Sequence, residues 1–215
     1  IVLFGLLWAG SFIDPQLPVT AVYETNPMPL YGIIKLLIGK SALPGIIFSF
    51  VMLSALLVLA VNFNTTVFFI SERTFLPAVF YLLFSALFPQ YQILTPVLPA
   101  ALFLLVALMR IMDAYRKPGL AFNFFDAALL ISIGSLFYAS LIWFWILVII
   151  GIALLRTGNL TEIFVSILGL ITPYILTAGL YYVFGRDMNV LYTDILNNLF
   201  GENGGYTFSR LTILV

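Results

Sequence analysis

Two carboxylates, Asp14 and Glu24, stand in a stretch broken by Pro15, Pro18, Pro27 and Pro29, between two apolar runs. A carboxylate held at a membrane surface can act as a general base toward an acceptor hydroxyl. It can also hold a divalent cation beside a phosphate. The plainer reading is that both acids solvate a loop, with Asp14 ending the preceding helix ahead of Pro15. Other chemistry is narrowly bounded, because the 215-residue chain contains no histidine and no cysteine. Thiol nucleophiles, disulfides, histidine-ligated metals and histidine general bases are excluded. Carboxylates, arginines, lysines, tyrosines and hydroxyls remain, and no cofactor is implied.

The basic residues offer a second chemistry. Glu72-Arg73 precedes Thr74-Phe-Leu-Pro77, where an arginine at a helix start could hold a phosphate. Arg110, Asp113, Tyr115, Arg116 and Lys117 form one compact cluster before Pro118-Gly119 breaks the chain. On a continuing helix Arg110 and Asp113 are three apart and can pair. Arg73, Arg110, Arg116 and Lys117 are therefore candidate contacts for anionic lipid headgroups or phosphates, although topology anchoring alone accounts for them. Asp126 borders an apolar run, and Ala-Ala-Leu-Leu follows it. That is the position of a helix N-cap, a role Asn123 could share.

These residues must be positioned by helices in a membrane. Hydrophobic residues make up 63% of the chain and charged residues 8%, nine basic and nine acidic, with a mean hydropathy of +1.15. Soluble domains carry about 25% charge, so neither a soluble fold nor disorder fits. The expected fold is all-α, a polytopic transmembrane bundle of about seven helices. They fall at residues 1–13, 43–61, 75–88, 93–109, 127–138, 140–155 and 163–184, several of them short and arranged in hairpins. The fifth and sixth read as a hairpin rather than one long tilted element. Ala128, Ser132 and Ser135 make a small-residue stripe where another helix can approach closely. Pro173 falls inside the seventh helix and should kink it. The chain reads as a single integral membrane domain, and its apolar ends suggest a fragment truncated on both sides.

Orientation follows from lysine and arginine. Placing the 110–117 cluster in the cytoplasm puts Arg73 and Arg156 there too, with residue 1 on the cytoplasmic side and residues 14–42 outside. The remaining basic residues Lys35, Lys40, Arg186 and Arg210 then lie outside, as do the acids Asp14, Glu24, Asp187, Asp194 and Glu202. Within the external loop, residues 30–40 carry two lysines among apolar residues. This suits a short helix lying in the interface with its lysines snorkelling to the headgroups.

The stretches Arg73–Tyr81, Tyr115-Arg-Lys117, Asp126–Tyr138 and Leu168-Gly-Leu-Ile-Thr-Pro-Tyr174 resemble a family of uncharacterised bacterial multi-pass inner-membrane proteins. That resemblance implies a location and supplies no activity. The order of one helix, a long external loop with acids and an interfacial helix, then short helices in hairpins, is similar to the GT-C superfamily of membrane glycosyltransferases. It implies a polyprenyl-phosphate-linked sugar as substrate, with the catalytic carboxylate in the first external loop at Asp14 or Glu24. The chain departs from that pattern in having no adjacent acidic pair there.

Three functions are compatible with the sequence. The leading one is a scaffold or accessory subunit in envelope assembly. Next come the lipid-linked glycosyltransferase and a small-solute or lipid transporter. Membrane lipids are the expected partners, and no nucleic acid is.

Overall fold

The computed structural model describes Trp8 and residues 27–39, 42–67, 76–87, 94–116, 122–155 and 160–200. The described residues form eight α-helices and one 3₁₀ helix. In chain order these are α1 (Pro29–Ile38), α2 (Ala42–Val67), α3 (Leu76–Leu87), α4 (Val97–Arg116), α5 (Phe122–Ser135), the 3₁₀ segment Ala139–Phe144, α6 (Trp145–Leu155), α7 (Leu160–Val183) and α8 (Met188–Phe200). Prolines mark several starts. Pro29 opens α1, Pro44 and Pro99 sit in the first turns of α2 and α4, and Pro77 is the second residue of α3. A first-turn residue has no intrahelical acceptor for its N–H, so proline costs nothing there.

Among the described residues three helices are long and apolar enough to cross a membrane: Leu43–Phe63, Val97–Ala114 and Leu160–Val183. The other apolar helices are shorter. At about 1.5 Å per residue, the 14 residues of α5 reach only about 21 Å, against a hydrocarbon core of about 30 Å.

α5 resolves the shortfall by lying inside the protein. It packs mainly on α4 and α7, and eight of its residues are buried, including Asn123, Phe124, Ala128, Ser132 and Ser135. One core joins Ala107, Ile111 and Ala114 of α4 to Phe124, Ala127 and Ile131 of α5 and to Val148 and Ile152 of α6. The chain breaks from helix after Ser135, and Tyr138 is extended. Phe124, near the start of α5, then meets Ile152, near the end of α6, so the two helices form an antiparallel hairpin. A second core gathers Trp8, Ile46, Leu53, Leu56 and Leu98, with the Trp8 ring edge-on to Phe50.

Several expected boundaries are corrected. α2 runs to Val67, beyond the expected Val61. α4 begins at Val97 rather than Ile93, just after Pro96. α5 begins at Phe122 rather than Ala127, so Asp126 lies in its second turn and is not an N-cap. The aromatic residues Phe122, Phe124 and Phe125 extend the helix backward past the acid. α8 was not anticipated as a helix. The expected helix over 1–13 lies outside the described residues apart from Trp8, as does the apolar end at 211–215.

Candidate functional site: a polar groove at one end of the bundle

The seam between α5 and α7 fixes the geometry from which the site is built. Gly169 of α7 lies directly on the α5 backbone. A Cβ at Gly169 would stand 2.5 Å from the Phe125 carbonyl oxygen and 3.3 Å from the Leu129 nitrogen. The stripe of Ala128, Ser132 and Ser135 faces this approach, as expected. The Ser132 hydroxyl donates to the Leu170 carbonyl at 2.6 Å, and the Ser135 hydroxyl donates to the Ser132 carbonyl at 2.7 Å. Ser135 has a single hydroxyl proton, so the Tyr174 hydroxyl, 2.6 Å from Ser135 Oγ, is the donor in that contact. These bonds flank Pro173, which deprives the Gly169 carbonyl of its usual i+4 donor. The seam is thus a chain of satisfied hydroxyls beside an interrupted helix ladder.

Directly after Val183, α7 ends in a sequence-specific stop. Gly185 adopts a φ of 64°. Its N–H bonds the Tyr182 carbonyl, and the N–H of Arg186 bonds the Tyr181 carbonyl at 2.9 Å. This pairing satisfies the last carbonyls of α7 and needs a left-handed residue, which glycine supplies without steric cost. Asp187 follows as the N-cap of α8, its Oδ1 accepting from the Asn189 N–H at 2.9 Å. The turn Gly185-Arg186-Asp187 therefore presents a cation and an anion side by side. The Arg186 guanidinium lies 5.8 Å from the centre of the Tyr181 ring, within cation–π range.

α1 closes the other side. Its N-terminus is pinned to the bundle by the Leu30 N–H, which donates to the Leu136 carbonyl at 3.2 Å, and by the buried Tyr31, whose hydroxyl donates to the Leu94 carbonyl. Between α1 and the α7–α8 turn runs a groove of about 510 Å³. Its apolar wall is Pro29, Ile33 and Leu36, and its polar wall is Arg186, Asp187 and Asp194. Asp187 and Asp194 are seven residues apart, two turns along one face of α8. Partial burial raises the Asp194 carboxyl above its ordinary value of 3.8. Among the described residues Arg186 has no carboxylate within 4.0 Å, and no three acids come together as a metal site.

The expected site residues are distributed differently. Asp14, Glu24, Arg73 and Lys117 lie outside the described residues, and so does the side chain of Arg116. Arg110 is described, and its Nε is 4.0 Å from Asp126 Oδ2, with both side chains nearly half exposed. Arg110 thus pairs across the α4–α5 junction rather than with Asp113 on its own helix. Glu162, in the first turn of α7, is buried, where a carboxylate complements the helix dipole. Arg186, Asp187 and Asp194 entered the sequence reading only as markers of orientation. The signal for them was a glycine directly after an apolar span, then Arg-Asp, then a polar helical stretch.

The fold defines the class: the described residues are all helical, with three helices among them long and apolar enough to span a membrane, consistent with an uncharacterised membrane protein. Residues 28–207 match a family of unknown function (DUF6427), and the chain belongs to that family. No curated protein and no solved structure matches the chain.

Proposed function

We propose that this chain is a multi-pass protein of the bacterial inner membrane that acts as a scaffold or accessory subunit in envelope assembly. The observation that carries this reading is the outer face of α7. That helix is the least buried of the three candidate spans. It exposes Phe164, Leu168, Ile171, Ile175, Leu176 and Leu180 along its length. A helix pinned to its neighbours along one narrow seam and apolar elsewhere is built to face lipid or the helices of a partner. In this reading residues 110–117 are cytoplasmic, and the groove and residues 14–42 lie outside.

The GT-C-like glycosyltransferase is kept as a second reading because of one observation. Pro27, three positions after Glu24 in the sequence, lines the groove together with Asp187 and Asp194. Complementation separates the two. A scaffold predicts that the variant carrying Asp14→Asn, Glu24→Gln, Asp187→Asn and Asp194→Asn restores a deletion strain fully. The enzyme predicts loss of an envelope glycan phenotype. Topology is read by labelling single cysteines placed at Arg110 and Arg186, since the native chain has none. Labelling of the residue 110 cysteine from outside overturns the orientation.

A further inference from the structure

We propose that the groove between α1 and the α7–α8 turn binds the headgroup of an aminophospholipid, with the phosphate on Arg186 and the primary ammonium on Asp194 and Asp187. The inference rests on the reading of the chain as an integral membrane protein. It adds a site and a ligand class to that reading.

Depth comes first. Arg186 stands three residues beyond the end of α7 at Val183, which places it at headgroup level if α7 spans. Arginine at that level beside an aromatic ring is a phosphate-binding arrangement, and among the described residues no carboxylate lies within 4.0 Å to compete for it. Charge selects further. The polar wall carries one cation and two acids. A headgroup with a phosphate alone would satisfy Arg186 and meet the two carboxylates as like charges. A headgroup carrying both signs satisfies the whole wall. Between the two common zwitterions, a primary ammonium has N–H donors for carboxylates, whereas a quaternary ammonium has none.

The opposite wall fits the rest of the molecule. Ile33 and Leu36 line the groove while remaining exposed at 56% and 81%. Val183 and Phe184, at and just after the end of α7, are exposed as well. An acyl chain leaving the headgroup would meet the exposed Ile33, Leu36 and Leu37 of α1. The volume of about 510 Å³ is in the usual range for small-ligand sites, roughly 300–1,000 Å³.

The test uses the full chain. Alkaline carbonate extraction of membranes comes first, because release of the chain there refutes the membrane reading itself. The retained protein is then purified in detergent and titrated separately with dioleoyl phosphatidylethanolamine, phosphatidylcholine and phosphatidylglycerol, with bound lipid counted by native mass spectrometry. Phosphatidylethanolamine is expected to bind about tenfold more tightly than either, the value of one charge-assisted hydrogen bond. Arg186→Gln and Asp194→Asn should each lower its binding about tenfold. Asp113→Asn, near the far end of α4, should leave it unchanged. Asp194→Lys should shift the preference to phosphatidylglycerol, a gain that misfolding cannot mimic. Equal binding of the three lipids, or variants indistinguishable from wild type, overturns the proposal. So does soluble glycerophosphoethanolamine competing as well as the lipid, since the apolar wall would then have no role.

Discussion

Replacing Gly169 with alanine tests whether the α5–α7 seam holds the bundle together. The added Cβ would stand 2.5 Å from the Phe125 carbonyl oxygen, where ordinary contact needs 3.4 Å, so the helices must part by about 0.9 Å. The obstructing atoms are backbone, and no rotamer change can relieve them. Forcing a methyl group into a packed interior costs about 1–3 kcal/mol. The same displacement would stretch the 2.6 Å bonds from Ser132 to Leu170 and from Tyr174 to Ser135 to roughly 3.5 Å, the limit of a useful hydrogen bond. Interhelical bonds in membranes average about 0.6 kcal/mol each. The summed expectation is about 2–4 kcal/mol of destabilisation. Gly179, on the same helix, has no atom within 4 Å of its virtual Cβ and serves as the control. Its alanine variant should be neutral, or stabilised by up to about 1 kcal/mol through helix propensity. Unfolding of purified protein in mixed micelles, followed by circular dichroism, measures both. If Gly169→Ala and Gly179→Ala shift the midpoint equally, the seam is not the clamp argued above.

Three further expectations concern the polar groups. A double-mutant cycle of Ser135→Ala and Tyr174→Phe should give a coupling of about 0.6 kcal/mol and not more than about 1.7 kcal/mol, read by the same unfolding assay; zero coupling would remove the hydroxyl chain from the ledger. Arg110→Gln should cost no more than about 1 kcal/mol, shrinking further in high salt, because the pair with Asp126 is long and solvent-screened; a larger, salt-independent loss would mark a role beyond ion pairing. Asp194 carries a raised carboxyl, so the folded chain holds its proton at pH values where the unfolded chain has released it. Its contribution to stability is therefore present below the ordinary value of 3.8 and lost as pH rises through the raised one. The stability of Asp194→Asn relative to wild type should accordingly increase with pH across that window, and the opposite slope in paired thermal scans would refute the burial argument.

Much of the helix layout was legible because apolar runs and prolines mark it. Pro99 and Pro77 fall in first turns, and the Ala128-Ser132-Ser135 stripe faces a neighbour because its spacing repeats the helical turn. Asp126 was misread because N-cap rules weigh the acid and the alanines after it, while the buried Asn123 and Phe124 anchor the turn before it. α8 escaped notice for another reason. Its Asn189, Thr193, Asp194 and Asn198 interrupt any apolar block, so a window tuned to membrane spans passes over it. The groove was least legible of all, since its apolar wall lies near residue 33 and its polar wall near residue 190. Only folding brings α1 against the α7–α8 turn.

The position of α5 also constrains how the protein is made. A helix reaching about 21 Å and carrying buried Asn123, Ser132 and Ser135 is poorly suited to sit alone in lipid while synthesis continues. Its hydroxyls find their partners on α7, which is translated last among the core helices. In the membrane reading proposed above, a nascent chain ending near residue 155 would present a polar stripe to the hydrocarbon until α7 arrives. On that reading the α5–α6 hairpin would have to be held at the insertion machinery, or shielded by α4, until α7 emerges. Stalling or truncation inside the α6–α7 connection would yield a product marked for membrane quality control, even with most of its hydrophobic helices already in place.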